Sequence, residues 1–244
     1  MRKVVLLFAV LMGVFAGCSN DKEPDLISLN ETSKTLSYKD EYQIEAKSNS
    51  KITYLSENKY HAEVSESGFV KANRIGETNI LVSNSEDSKS VKITVKPKYN
   101  TYTEPDVKFG DTKSSIITKF GNDYVETSNG IAYANYSNAA PIVMFLFDDD
   151  NKLDDYAVMV KTVYSSDLVD FLLERYLAIA ESDGIFMFIN GLNINTATTA
   201  IGLSLYDISY WMVMYIPNTP NVRSASLRSN VFSDKYTQLL EQIQ

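Results

Sequence analysis

Between Asp25 and Lys96 apolar residues recur at every second position, in runs too short to make helices, and this spacing restricts what that part of the chain can fold into. Tyr42, Ile44 and Ala46 alternate with Gln43, Glu45 and Lys47; Ile80 and Val82 with Asn79 and Leu81; Val91, Ile93 and Val95 with Lys92, Thr94 and Lys96. Successive side chains of a strand point to opposite faces, so each run buries one face and wets the other. Several such runs, separated by Ser, Asn, Asp and Gly clusters, predict a small antiparallel sandwich.

The N-terminus follows another rule. Arg2 and Lys3 precede thirteen uncharged, mostly apolar residues, Val4 to Ala16, which end in Phe15-Ala16-Gly17-Cys18. Charged, then apolar, then small residues make a secretory signal, and the run falls short of the ~20 residues that span a bilayer. Cys18 directly after Ala16-Gly17 resembles the lipobox of bacterial lipoproteins, with Phe15 where that family usually has an aliphatic residue. The resemblance implies a signal at 1–17, cleavage before Cys18 and acylation of its thiol, and the expected location is the outer membrane, exposed at the cell surface. Residues 18–24 then form a lipidated, polar tether.

Composition removes whole classes of function. Losing Arg2 and Lys3 with the signal takes the formal net charge from −8 to −10. An acidic surface repels the phosphate backbone and anionic headgroups alike, so nucleic acid is excluded as a partner and the lipid is the membrane contact. Cys18 is the only cysteine and His61 the only histidine. Disulfides, thiol nucleophiles and cysteine-rich zinc sites are therefore excluded, and histidine acid–base chemistry would have to run through His61. His61 lies in Tyr60-His61-Ala62-Glu63-Val64, which reads as a strand without a nucleophile motif nearby. The expectation is a chain that is not an enzyme, with no catalytic residue and no cofactor.

Three blocks in the alternating region resemble the group 2 bacterial immunoglobulin-like modules of surface proteins such as invasin-type adhesins: Ile52 to Ser56, Ala62 to Ala72 with Gly76 to Ile80, and the closing strand Val91 to Val95. Ser67-Gly68 supplies a tight turn, Gly76 a bend that a side chain would obstruct, and Val64, Val70 and Ile80 core. Tyr54 stands where the family often has Trp. The resemblance implies a spacer or binding module over 25–97, without catalysis.

Pro97 opens a polar connection, expected as a linker over 98–106. Beyond it, over 107–217, the pattern predicts an α+β domain. Asp111 or Thr112 caps a helix carrying Ile116, Ile117 and Phe120 and ended by Gly121, with Phe109 as staple. Strands are expected at 124–127, 131–136, 142–147 and 153–163, the run Ile142 to Phe147 being apolar on both faces and hence central. A second helix, capped by Ser166, carries Leu168, Phe171, Leu172, Tyr176 and Ile179, and Gly184 ends it. Strands follow at 185–189, 198–206 and 210–216. Helix then strands, twice, predicts a duplicated domain with its helices on one face of an antiparallel sheet. The opening Phe109-Gly110, helix, Phe120-Gly121 resembles small envelope lipoprotein domains of the outer-membrane-assembly type and the repeats of the β-lactamase-inhibitory proteins. Residues 218–244 read as a polar tail with a short helix at its end.

Two clusters invite functional readings. Asp148, Asp149, Asp150, Asp154 and Asp155 place five carboxylates within eight residues. They are read as a solvated hairpin tip, with a cation at Asp148, Asp150 and Asp154 as the alternative. Twelve of the sixteen tyrosines and the one tryptophan follow Pro97, and alternation from Tyr210 to Ile216 puts Trp211, Val213 and Tyr215 on one face. If exposed, Trp211 and Tyr215 are a platform for a sugar ring or a protein. The chain thus reads as a lipid-anchored accessory or adhesion protein, its Ig-like spacer presenting a domain that binds a glycan or protein. The rivals are a periplasm-facing structural lipoprotein docked on envelope machinery and an inhibitor of an envelope or host enzyme.

Overall fold

A computed structural model of the chain describes residues 23–182, 184–218 and 234–243; the signal and Cys18 lie outside the described residues. The first unit consists of short strands, β1 (Ser28–Leu29), β2 (Ser33–Ser37), β3 (Glu41–Gln43), β4 (Ala46–Lys47), β5 (Thr53–Ser56), β6 (Ala62–Val64), β7 (Phe69–Ala72), β8 (Gly76–Ser83) and β9 (Ser88–Lys96). One sheet runs β2-β9-β8-β5, a second β3-β7-β6, and β1 pairs with β4. Between the two larger sheets Ala62, Val70 and Ala72 meet Ile80, Val82, Val91, Ile93 and Val95 in a dry core.

Two details depart from the alternation. β2 runs parallel to β9, because alternation reports which side of a strand is wet and not its direction. The expected strand through Tyr42, Ile44 and Ala46 is broken after Gln43: Ile44 donates its N–H to the Gly68 carbonyl at 2.9 Å, and Ala46 already pairs with Leu29. The glycines serve as expected. Gly68, at φ 82°, closes the turn from β6 to β7 and lies against the Tyr54 ring; a Cβ on Gly76, at φ 132°, would sit 2.3 Å from the His61 ring.

The second unit contains α1 (Lys113–Phe120), β10 (Val125–Glu126), β11 (Gly130–Tyr133), β12 (Ile142–Phe147), β13 (Leu153–Lys161), α2 (Ser165–Leu173), β14 (Leu177–Ser182), β15 (Ile185–Ile189), β16 (Thr199–Leu205), β17 (Tyr210–Pro217) and α3 (Asp234–Ile243). Its antiparallel sheet has the order β10-β11-β12-β13-β17-β16-β15-β14. Each of the first two helices precedes a four-stranded meander, and the meanders join where β13 pairs with β17. Thr112 caps α1 through its hydroxyl, which accepts from Ser115 N at 3.2 Å, and Gly121, at φ 96°, ends it by donating to Ile117 O at 2.8 Å. β12 is buried at every position, as an apolar run on both faces requires.

Helix α2 is shorter than its periodicity suggested. A 3-10 turn, Thr162–Tyr164, leads into Ser165 rather than a cap at Ser166, and the helix ends at Leu173. Tyr176 keeps one more helical bond, its N–H donating to Leu172 O at 2.7 Å. Then residues 177–182 become an edge strand in which Ile179 falls at a bulge and Gly184 turns the chain into β15.

Helices also occupy both faces of the sheet, which corrects the one-face expectation. Ile116 of α1 and Leu168, Phe171 and Leu172 of α2 pack with Val143, Phe145, Val158 and Val213. On the opposite face Met144, Leu146, Ala157, Met159 and Met214 receive Tyr236, Leu239 and Leu240 of α3. The short helix expected in a polar tail is thus part of this unit's core. No helix among the described residues is long and apolar enough to cross a membrane.

Candidate functional site

The stretch expected as a linker, 98–106, is packed into the second unit. Glu174, at the end of α2 and without exposed side-chain surface, accepts from Lys98 N at 2.9 Å and Tyr99 N at 3.2 Å and pairs with the Arg175 guanidinium at 2.5 Å. Arg175 stacks 3.7 Å over the Phe171 ring, donates to Tyr99 O at 3.2 Å and lies 3.6 Å from Glu104. Across the seam, Ile75 N donates to Glu174 O at 2.8 Å, and the Tyr60 hydroxyl lies 2.6 Å from Arg175 O and 3.2 Å from Ile189 O. Burial pushes the Tyr60 phenol above its ordinary range against the opposing pull of Arg74, whose guanidinium lies 5.1 Å from the ring centre.

Glu104 gathers the tyrosines of this region. Its Oε1 accepts from Tyr176 at 2.6 Å and Tyr215 at 2.7 Å, the Tyr102 hydroxyl lies 2.6 Å from that of Tyr215, and Tyr156 stacks on Tyr215 at 4.5 Å. Burial first, and Glu104 second, hold the phenols of Tyr102, Tyr176 and Tyr215 well above the usual tyrosine range.

This overturns the exposed platform expected from Trp211 and Tyr215. Tyr215 is 1% exposed. Trp211 is half-buried, packs on the same core and donates Nε1–H to Ser165 Oγ at 2.8 Å. Their strand is interior, between β13 and β16, so the alternation read correctly for β17 placed both rings on a covered face.

The acidic cluster is the tip of the β12–β13 hairpin. Asp148 Oδ1 accepts from Asp150 N at 3.0 Å and Lys152 N at 2.8 Å, and Asn151 takes φ 56°. Asp155 accepts from the Tyr236 hydroxyl. Among the described residues no group of three or more His, Cys, Asp or Glu is placed to hold a metal, so Asp148, Asp150 and Asp154 do not converge on a cation. His61 stands edge-on to Tyr60 with its Nδ1 buried and without a hydrogen-bond partner among the described residues.

Beside the seam the packed linker and the start of α2 enclose a cleft of about 230 Å3, lined by Lys98, Tyr99, Asn100, Thr101, Tyr164 and Asp167. Sequence reasoning missed it because 98–106 was taken for a polar connection; the signal available was the aromatic and proline content of Tyr99, Tyr102 and Pro105, high for a free linker. A wider groove of about 350 Å3 crosses the first unit at Glu57, Asn58, Glu77, Thr78, Asn79 and Lys92.

The two packed sheets, the Gly68 turn and the Gly76 bend carry the decision for the first unit. Residues 28–95 match the family model of the bacterial Ig-like domain, group 2. The Ig-like domain therefore spans β1 through nearly all of β9. Curated proteins give no match to the chain. Solved structures with some likeness include domains 5–6 of the S-layer protein SbsC, at 11% identity over 80% of this chain and 84% of that one, TM-score 0.26. An intimin mutant of EHEC O157:H7 matches at 14% identity over 77% and 94%, TM-score 0.25. The SGBP-B of a Bacteroides ovatus mixed-linkage glucan utilization locus, solved with a mixed-linkage heptasaccharide, matches at 10% over 86% and 61%, TM-score 0.25. Scores this low carry no weight for the function of this chain.

Proposed function

We propose that the chain is a lipid-anchored, cell-surface accessory lipoprotein in which the Ig-like domain holds the second unit away from the membrane and the second unit binds a glycan or a protein. It acts by binding and not by catalysis. The observation that carries this reading is the seam: the Ig-like domain lies between Cys18 and the second unit and is hydrogen-bonded to it through Ile75 and Tyr60. A spacer joined in this way passes on its orientation as well as its length, which suits presentation of a binding face.

Protease shaving of intact cells tests the reading, with an epitope at the C-terminus and lysed cells as a control for cleavability. Loss of the epitope from intact cells is the expected result. Full protection, with cleavage only after lysis, overturns surface presentation and moves the assignment to a periplasm-facing partner of envelope machinery. Replacing Cys18→Ser is expected to abolish incorporation of labelled fatty acid into the protein; labelling that persists would remove the lipid anchor at Cys18 from the proposal.

A further inference from the structure

We propose that the cleft between the packed linker and α2 binds one ring of a neutral saccharide. This rests on the reading of the second unit as the ligand-binding part and names the class of its ligand. Tyr99 and Tyr164, both half-buried, line the cleft and contribute aromatic surface of the kind on which the C–H face of a sugar ring packs. Asn100 and Asp167 are exposed on its rim and bring an amide and a carboxylate to neighbouring hydroxyls.

The cleft is held in shape before any ligand arrives. Glu174 fixes the backbone N–H groups of Lys98 and Tyr99, Arg175 donates to Tyr99 O, and Asn138 Nδ2 donates to the Tyr164 hydroxyl at 3.1 Å. Such a site loses little freedom on binding. Its volume of about 230 Å3 falls below the ~300 Å3 at which drug-sized sites begin, which fits one ring and not a folded protein segment. Lys98 and Asp167 both line it with opposite charges, so an ionised sugar gains nothing over a neutral one. The wider groove of the Ig-like domain has no aromatic lining, and its polar groups satisfy each other, Lys92 with Glu77 at 2.9 Å and Asn79 with Glu57 at 2.9 Å.

The test is calorimetric titration of the full chain in detergent with neutral tetrasaccharides of glucose, mannose and N-acetylglucosamine, and with polygalacturonate as the charged comparison. Saturable binding of a neutral member at millimolar concentration or below is expected, weakened about tenfold or more by Tyr164→Ala and by Asn100→Ala and unchanged by Lys92→Ala. Asn100 is exposed, so its variant keeps the fold even if Tyr164→Ala loosens the packing around α2. Failure of every neutral sugar to bind, binding indifferent to Asn100→Ala, or preference for polygalacturonate overturns the site. Shaving of cells reads exposure without any sugar, so a chain cleaved on intact cells yet blind to saccharides loses this site and keeps the presenting role.

Discussion

Glu174 is a carboxylate with no exposed surface, and an unpaired charge in that position is costly enough to unfold a small domain. Three donors meet it, the backbone N–H groups of Lys98 and Tyr99 and the Arg175 guanidinium, so one side chain ties the linker to the end of α2. Glu174→Ala takes the acceptor from two part-buried N–H groups and the nearest carboxylate from the Arg175 guanidinium. A loss of about 3–5 kcal/mol is expected, read from the midpoint of urea unfolding followed by tyrosine fluorescence. Tyr60→Phe, which removes one hydroxyl from the seam, is expected to cost only about 1 kcal/mol by the same measurement. Neither role is visible in the sequence. What makes Glu174 structural is a partner some seventy-five positions earlier, and no local pattern encodes that distance.

Among the elements, legibility tracked how local the cause was. Helix α1 was readable to within a residue, its cap narrowed to Asp111 or Thr112 and its end to Gly121, because the signals act within one turn of it. Strands β12 and β15 were readable because a short apolar run has few other uses. The end of α2 was not, since Tyr176 and Ile179 continue its spacing while pairing with β15 takes over the chain from Leu177. The second helical layer was half-written: Ile142 to Phe147, apolar on both faces, demands a cover on each, yet helices were assigned to one side only. That cover is α3, and Leu239→Ala tests it. Leu239 is fully buried against β11 and β12, so truncation is expected to cost about 2–5 kcal/mol and to lower the thermal midpoint of the second unit. An unchanged midpoint would mean that α3 is not held there. The candidate site was the least legible part, because Trp211 and Tyr215 were placed on the right face of the right strand without knowing that the strand is interior.

For the whole molecule the buried phenols set an alkaline limit. Tyr102, Tyr156, Tyr176 and Tyr215 are all raised in the fold, chiefly by burial, whereas in the unfolded chain they titrate near pH ~10. The folded state therefore keeps protons that the unfolded state has released. The stabilisation is fully present below about pH 10 and falls as pH climbs past that value toward the folded pKa values. Denaturation midpoints are expected to stay level from neutrality to about pH 9 and to drop above pH 10. Tyr215→Phe, with one fewer such proton, is expected to drop less steeply. A second consequence follows from the parallel pair β2 and β9. A pull that enters at Ser33 and leaves through Lys96 runs along both strands in opposite senses, so the ladder between them is sheared as a whole and not unzipped bond by bond. Under mechanical load applied between the N-terminal segment and the second unit, the Ig-like domain is thus braced at the two strands through which the tension passes.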